Sequence, residues 1–165
     1  MPSSEPIVKE LMNTIPHVGV VDFISIRPKR REMPVSVDTV VANDFGLEGD
    51  HFSSSFSKKR AVTLIQKEHL EAVSKILGKQ VDPLLTRRNI VVSGINLLSL
   101  KGQKFKIGEA ILEGTGECHP CSRMEENFGT GGYNAMRGHG GLTAKVIQAG
   151  EIKLGDSVSF LSSDS

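Results

Sequence analysis

The chain has 165 residues, with 20 basic and 19 acidic side chains and a net charge of +1. That balance excludes a broad, nonspecific grip on nucleic acid, which needs a basic surface. With no tryptophan and only Tyr133 as tyrosine, stacking platforms for single strands are also scarce.

No apolar run approaches the ~20 residues needed to span a membrane, so no membrane partner is expected. The length suits one domain, for which about 100–200 residues is typical. The start, Met1-Pro2-Ser3-Ser4-Glu5, has no basic stretch leading into an apolar one, and no secretory signal is read there. Cys118 and Cys121 are the only cysteines. Two in a chain this long are not a disulfide framework, and a reducing, cytoplasmic setting is the simplest expectation.

Residues 1–14 read as a flexible arm, or a short helix around Val8–Met12. Val18 to Ile26 is rich in β-branched residues and predicts a strand stopped by Pro28. Lys29-Arg30-Arg31 reads as a turn, and Pro34 opens a second alternating strand, Val35 to Val41. A loop follows over residues 43–51, then a serine-rich stretch to Ser57. Ala61 to Ile65 predicts a buried strand. Lys67 to Leu77 is the one well-defined helix: Leu70, Val73 and Leu77 recur at helical spacing and Gly78 is placed to end it. His69 is expected on its surface. Further strands are read at Ile90–Val92, Ala110–Gly114, Leu142–Ile147 and Ser157–Leu161, with a tail at 162–165. Many short strands and one good helix predict a mainly β, barrel-like fold with short helical turns.

The chemistry concentrates in Glu117-Cys118-His119-Pro120-Cys121-Ser122-Arg123-Met124. Thiolate sulfur is the group here able to act as nucleophile, carry sulfur or bind a soft metal. Met124 and Phe128, four apart, share a face of a helix beginning at or just after Cys121, and a helix start with Arg123 beside it favours the thiolate. A free cysteine can equally be a small buried hydrophobe. Zinc lacks a second ligand pair, and a thioredoxin-like redox pair lacks an early βαβ unit around the motif.

Arg87, Arg88 and Asn89 enter a strand. Paired arginines are either a solvated turn or a phosphate contact, and Asn89 can donate and accept toward a polar ring edge. Lys59 and Arg60 admit the same two readings. Asp50 in the glycine-containing loop Gly46–His51 would hold that loop in shape. The glycine-dense segment Gly129–Gly141, with Arg137 and His139 inside it, suits an anion-accepting rim or a mobile lid, or a purely structural turn.

The motifs Gly46-Leu47-Glu48-Gly49-Asp50-His51, Lys59-Arg60-Ala61-Val62, Arg87-Arg88-Asn89-Ile90-Val91-Val92, Gly94-Ile95, Pro120-Cys121, Gly138-His139-Gly140-Gly141-Leu142 and Gly155-Asp156 stand in that order. Together they resemble the MOSC domain, named for the C-terminal domain of molybdenum cofactor sulfurases, over residues 15–161. The resemblance implies a β-barrel and a reactive Cys121 that carries sulfur or coordinates molybdenum, with Cys118 matched in some members only. It implies molybdenum cofactor (molybdopterin) held by Arg60, Arg87, Arg88, Asn89, Arg137 and His139. Pyridoxal phosphate is not expected, because the aminotransferase-like domain of full-length sulfurases is missing here. The implied functions are a sulfur carrier fed by a cysteine desulfurase, a reductase of N-hydroxylated compounds fed by a redox partner, or a non-catalytic cofactor-delivery module.

Overall fold

The computed structural model describes residues 4–51 and 58–162, so the serine-rich stretch 52–57, the first three residues of the N-terminal arm and the end of the tail lie outside it. Alternating buried and exposed positions build most of the sheet. In β7 (Lys104–Ile107), Phe105 and Ile107 point inward and the lysines outward. In β8 (Ala110–Glu117), Ala110, Leu112 and Gly114 take the inner face.

These strands join β11 (Ser157–Leu161), β1 (Gly19–Ile26), β6 (Ile90–Ser93), β5 (Val62–Gln66) and β9 (Leu142–Gln148) in a closed seven-stranded barrel. The seam between β1 and β11 is short, with Gly19 opposite Val158 and Val20 opposite Ser157. Leu64, Ile90, Phe105, Leu112, Leu142 and Val158 fill the interior. A second, three-stranded sheet orders β10 (Gly150–Lys153), β3 (Thr39–Asn43) and β4 (Gly46–Leu47), while β2 (Val35–Ser36) pairs with the far end of β1.

Among the described residues, all strand pairs but one are antiparallel. β5 and β6 run parallel, and a parallel pair needs a crossover, which α2 (Lys67–Leu77) supplies. Strands so covered are buried on both faces. Leu64 and Ile90 look into the barrel, while Ile65 and Val91 meet α2, α3 (Arg123–Phe128) and α4 (Gly132–Met136) through Leu70, Val73, Met124, Phe128 and Met136. Gly78 ends α2 in the left-handed region at φ 70°, as its sequence predicts. The remaining α-helix, α1 (Ser4–Met12), precedes β1 in the chain. Among the described residues no helix is long and apolar enough to cross a membrane.

Two expectations change. The strand read at Val35–Val41 is two strands of different sheets: the Val37 amide turns back to the Ile24 carbonyl, and Thr39 onward pairs with β10. The segment read as a glycine-rich loop or lid contains α4, with Gly132 packed so tightly that a Cβ there would lie 2.4 Å from the Met124 carbonyl oxygen.

Candidate active site

The parallel β5–β6 pair brings two strand entrances to one end of the barrel, where the antiparallel β1 and β8 finish. Arg60 and Thr63 come from the first entrance, Arg87, Arg88 and Asn89 from the second. Ser25, Ile26 and Arg27 close β1, and the chain leaving β8 adds Cys118, His119, Cys121, Arg123 and Met124. The result is a cavity of about 270 Å³.

Its charge is one-sided. Arg27, Arg60, Arg87, Arg88 and Arg123 line it against a single carboxylate, Asp50. Asp50 accepts a hydrogen bond from the Arg27 amide at 2.8 Å, fixing the 46–51 loop to the end of β1. The ion pairs found among the described residues, Lys145–Glu113 and Lys153–Glu151, involve none of these arginines.

The two strand-entry neighbours Arg87 and Arg88 behave oppositely. Arg87 follows the 3-10 turn Pro83–Thr86 with a left-handed φ of 61° and remains half-buried. Arg88 is only 6% exposed. Its Nε donates to the Gly140 carbonyl at 2.7 Å, Nη1 to Thr86 at 3.1 Å, and Nη2 to His119 at 3.3 Å and Cys118 at 3.5 Å. Those carbonyls need a donor once buried, and a guanidinium fork supplies several at fixed angles. Arg88 thereby ties the cysteine loop to the barrel. Asn89 is also internally bound: Oδ1 accepts from the Thr63 amide and hydroxyl, both at 3.1 Å, and Nδ2 donates to the Ser25 carbonyl at 3.2 Å.

The two thiols differ in access. Cys121 is exposed; Cys118 is 5% exposed, and both are free. Burial pushes the Cys118 thiol above its ordinary pKa, against the pull of the Arg88 and Arg60 charges and a hydrogen bond from Arg60. Gly140 and Gly141 let the backbone come this close. A Cβ on Gly140 would lie 1.9 Å from the Cys118 carbonyl oxygen, and Gly141 has φ 95°.

The sequence model of the MOSC domain matches residues 51–159. The chain belongs to the MOSC domain family. That family is associated with the molybdenum cofactor. The barrel of this MOSC protein is similar to the YuaD protein from Bacillus subtilis, with 19% identity, a TM-score of 0.75, and 88% of this chain and 97% of that one covered. It is also similar to YiiM from Escherichia coli (21% identity, TM-score 0.69, 89% and 71% covered) and YiiM from Geobacillus stearothermophilus (16%, 0.73, 87% and 75%). No curated protein sequence matches the chain.

Six residues singled out in the sequence, Arg60, Arg87, Arg88, Asn89, Cys118 and Cys121, meet at the cavity of this MOSC protein. Arg137 and His139 do not line it. Arg137 lies with His119, Pro120, Tyr133 and Gly138 at a separate depression. His139 has Nδ1 2.9 Å from the Ala135 carbonyl oxygen, and its ring centroid is 5.2 Å from that of His69 in an edge-to-face pair. His69, expected at the surface, is therefore half-buried. Arg27 was not singled out in the sequence, and Arg123 was noted only as a cation near the thiol. The signal for Arg27 is its place as the last residue before the proline that stops β1.

Proposed function

We propose that this MOSC protein accepts sulfane sulfur on Cys121 and passes it to molybdenum cofactor, its substrate, held in the arginine-lined cavity. The supporting observation is an exposed thiol at a cavity with five arginines and one carboxylate. Arg27, Arg87 and Arg123 offer forks suited to a terminal phosphate, because guanidinium groups bind phosphate oxygens in pairs. Arg88 and Asn89 already have internal partners, so they shape the site and leave ligand contact to the others. A cavity near the small end of the usual ~300–1,000 Å³ range encloses one end of such a ligand, leaving the rest on the rim.

Loading is thiol exchange. The Cys121 thiolate attacks the outer sulfur of a cysteine desulfurase persulfide, whose own cysteine leaves as thiolate, and Cys121 keeps the persulfide. An exposed position lets a protein donor reach it.

The test is protein isolated from a host that makes the cofactor. Brief anaerobic exposure of the reduced protein to polysulfide should add one sulfur atom to the intact mass, Cys121→Ser should abolish that gain, and molybdenum should be well below stoichiometric after gel filtration. Stoichiometric molybdenum without a persulfide would overturn the carrier reading in favour of a resident metal and a reductase. Undiminished cofactor handling by Cys121→Ser would leave only a binding module.

A further inference from the structure

The mechanism above leaves Cys118 without a task. It lies three residues before Cys121, lines the same cavity, and is held from both sides. Its amide donates to the Gly141 carbonyl at 2.8 Å, and Arg88 holds the peptide carbonyls of Cys118 and His119. The Cys118 thiol is thus part of the fixed wall, while Cys121 is exposed.

We propose that Cys118 is the resolving thiol of this site: it attacks Cys121 Sγ of the persulfide and discharges the carried sulfur as hydrosulfide inside the cavity. This rests on the sulfur-carrying reading. The new bond joins Cys118 Sγ to Cys121 Sγ. The bond between Cys121 Sγ and the sulfane sulfur breaks, and its electron pair leaves with that sulfur as HS⁻. The proton of the Cys118 thiol passes to solvent. The sulfane sulfur is reduced to sulfide and the two cysteines are oxidised to one disulfide, so no outside oxidant enters. A cellular dithiol reductant restores both thiols for the next cycle.

Three features favour this division of labour. Cys118, a residue only 5% exposed, is out of reach of a macromolecular donor, so loading falls to the exposed Cys121. Hydrosulfide is a more acidic leaving group than an alkyl thiolate, and acidic thiols leave faster, which directs attack to the inner sulfur. Burial raises the Cys118 pKa and the Arg88 and Arg60 charges pull against it; both arginines line the cavity into which the anion is released. The acceptor class that follows is an electrophilic metal centre taking inorganic sulfide, rather than a carbon nucleophile taking sulfane sulfur.

The experiment loads the full chain anaerobically with polysulfide, removes excess reagent, and follows sulfide release, intact mass and mapped disulfides without added thiol. Wild type should gain one sulfur, release one equivalent of sulfide, and finish two hydrogens lighter than the reduced protein, with Cys118 joined to Cys121. Cys118→Ser should load equally but keep its persulfide, with release slowed at least about 100-fold, since the intramolecular attack is lost. Cys118→Ala repeats the measurement in case serine disturbs the wall. Equal release by both variants and wild type would overturn the resolving role and leave the carrier intact. If wild type and both variants take up no sulfur, the carrier reading fails and the resolving step fails with it. Cys121→Ser should take up none in either case; loading of that variant on Cys118 would overturn the inference.

Discussion

Arg88→Ala should be the most damaging single change at this site, and for a structural reason. It removes three hydrogen bonds of 3.3 Å or less, to Gly140, Thr86 and His119, and leaves their carbonyls beside a void. Bonds from a charged donor contribute about 1.5–3 kcal/mol each. The shortest two dominate, and the returning hydration of the lost charge offsets part, so a loss of roughly 3–5 kcal/mol is expected. For a chain of this size that lowers Tm by roughly 6–20 °C, at ~2–4 °C per kcal/mol. Urea and thermal unfolding followed by circular dichroism read the loss. Thiol titration reads its location: wild type should show one fast thiol, Cys121, and one slow thiol, Cys118, and the variant should make both fast as the cysteine loop detaches. Arg88→Lys should recover only part, because an ammonium cannot reach Gly140, Thr86 and His119 together. A loss below about 1 kcal/mol with Cys118 still slow would refute the assignment of Arg88 as the brace.

The His69–His139 pair predicts acid sensitivity. Burial chiefly, then the His139 charge, holds the His69 pKa below its ordinary 6.5, against a smaller upward pull from Glu68. Between the lowered value and 6.5 the unfolded chain binds more protons than the folded one, so stability is complete above that window and falls as pH drops through it. His69→Gln should flatten this fall in a series of urea midpoints; an unchanged profile would sink the idea. Arg87→Gly separates backbone from function. Relief of the left-handed φ of 61° is worth ~1–2 kcal/mol and glycine's freedom costs ~0.5–1, so stability should hold or rise slightly. Binding of inorganic phosphate, measured by calorimetry, should weaken about 10-fold, the worth of one charge-assisted contact. Unchanged affinity would remove Arg87 from the anion site.

Local pattern carried the helix 67–77 and the Met124–Phe128 face, because both rest on spacings within a few residues and a glycine stop. It missed β7, where only Phe105 and Ile107 are apolar, and β10, which is shorter than the alternation signal needs. At the site, the residue types were legible but their tasks were not. Arg88 finds its shortest acceptor 52 residues away and Asn89 binds Thr63 26 residues back, so no local window distinguishes a brace from a ligand contact. Arg27 joins the cavity only because β1 runs antiparallel to β6, a fact of barrel closure. Arg137 and His139 were read from glycine density, but Gly132 and Gly140 serve close packing there rather than an opening rim.

The family match begins at residue 51, past β1, yet β1 is the stave between β6 and β11. A protein trimmed to the matched span would therefore present two raw strand edges, each a template for adding a neighbour's chain. It would also lack Ser25, Ile26 and Arg27 from the cavity wall. For this molecule the recognisable signature and the folding unit are different lengths of chain, and expression boundaries belong upstream of Gly19.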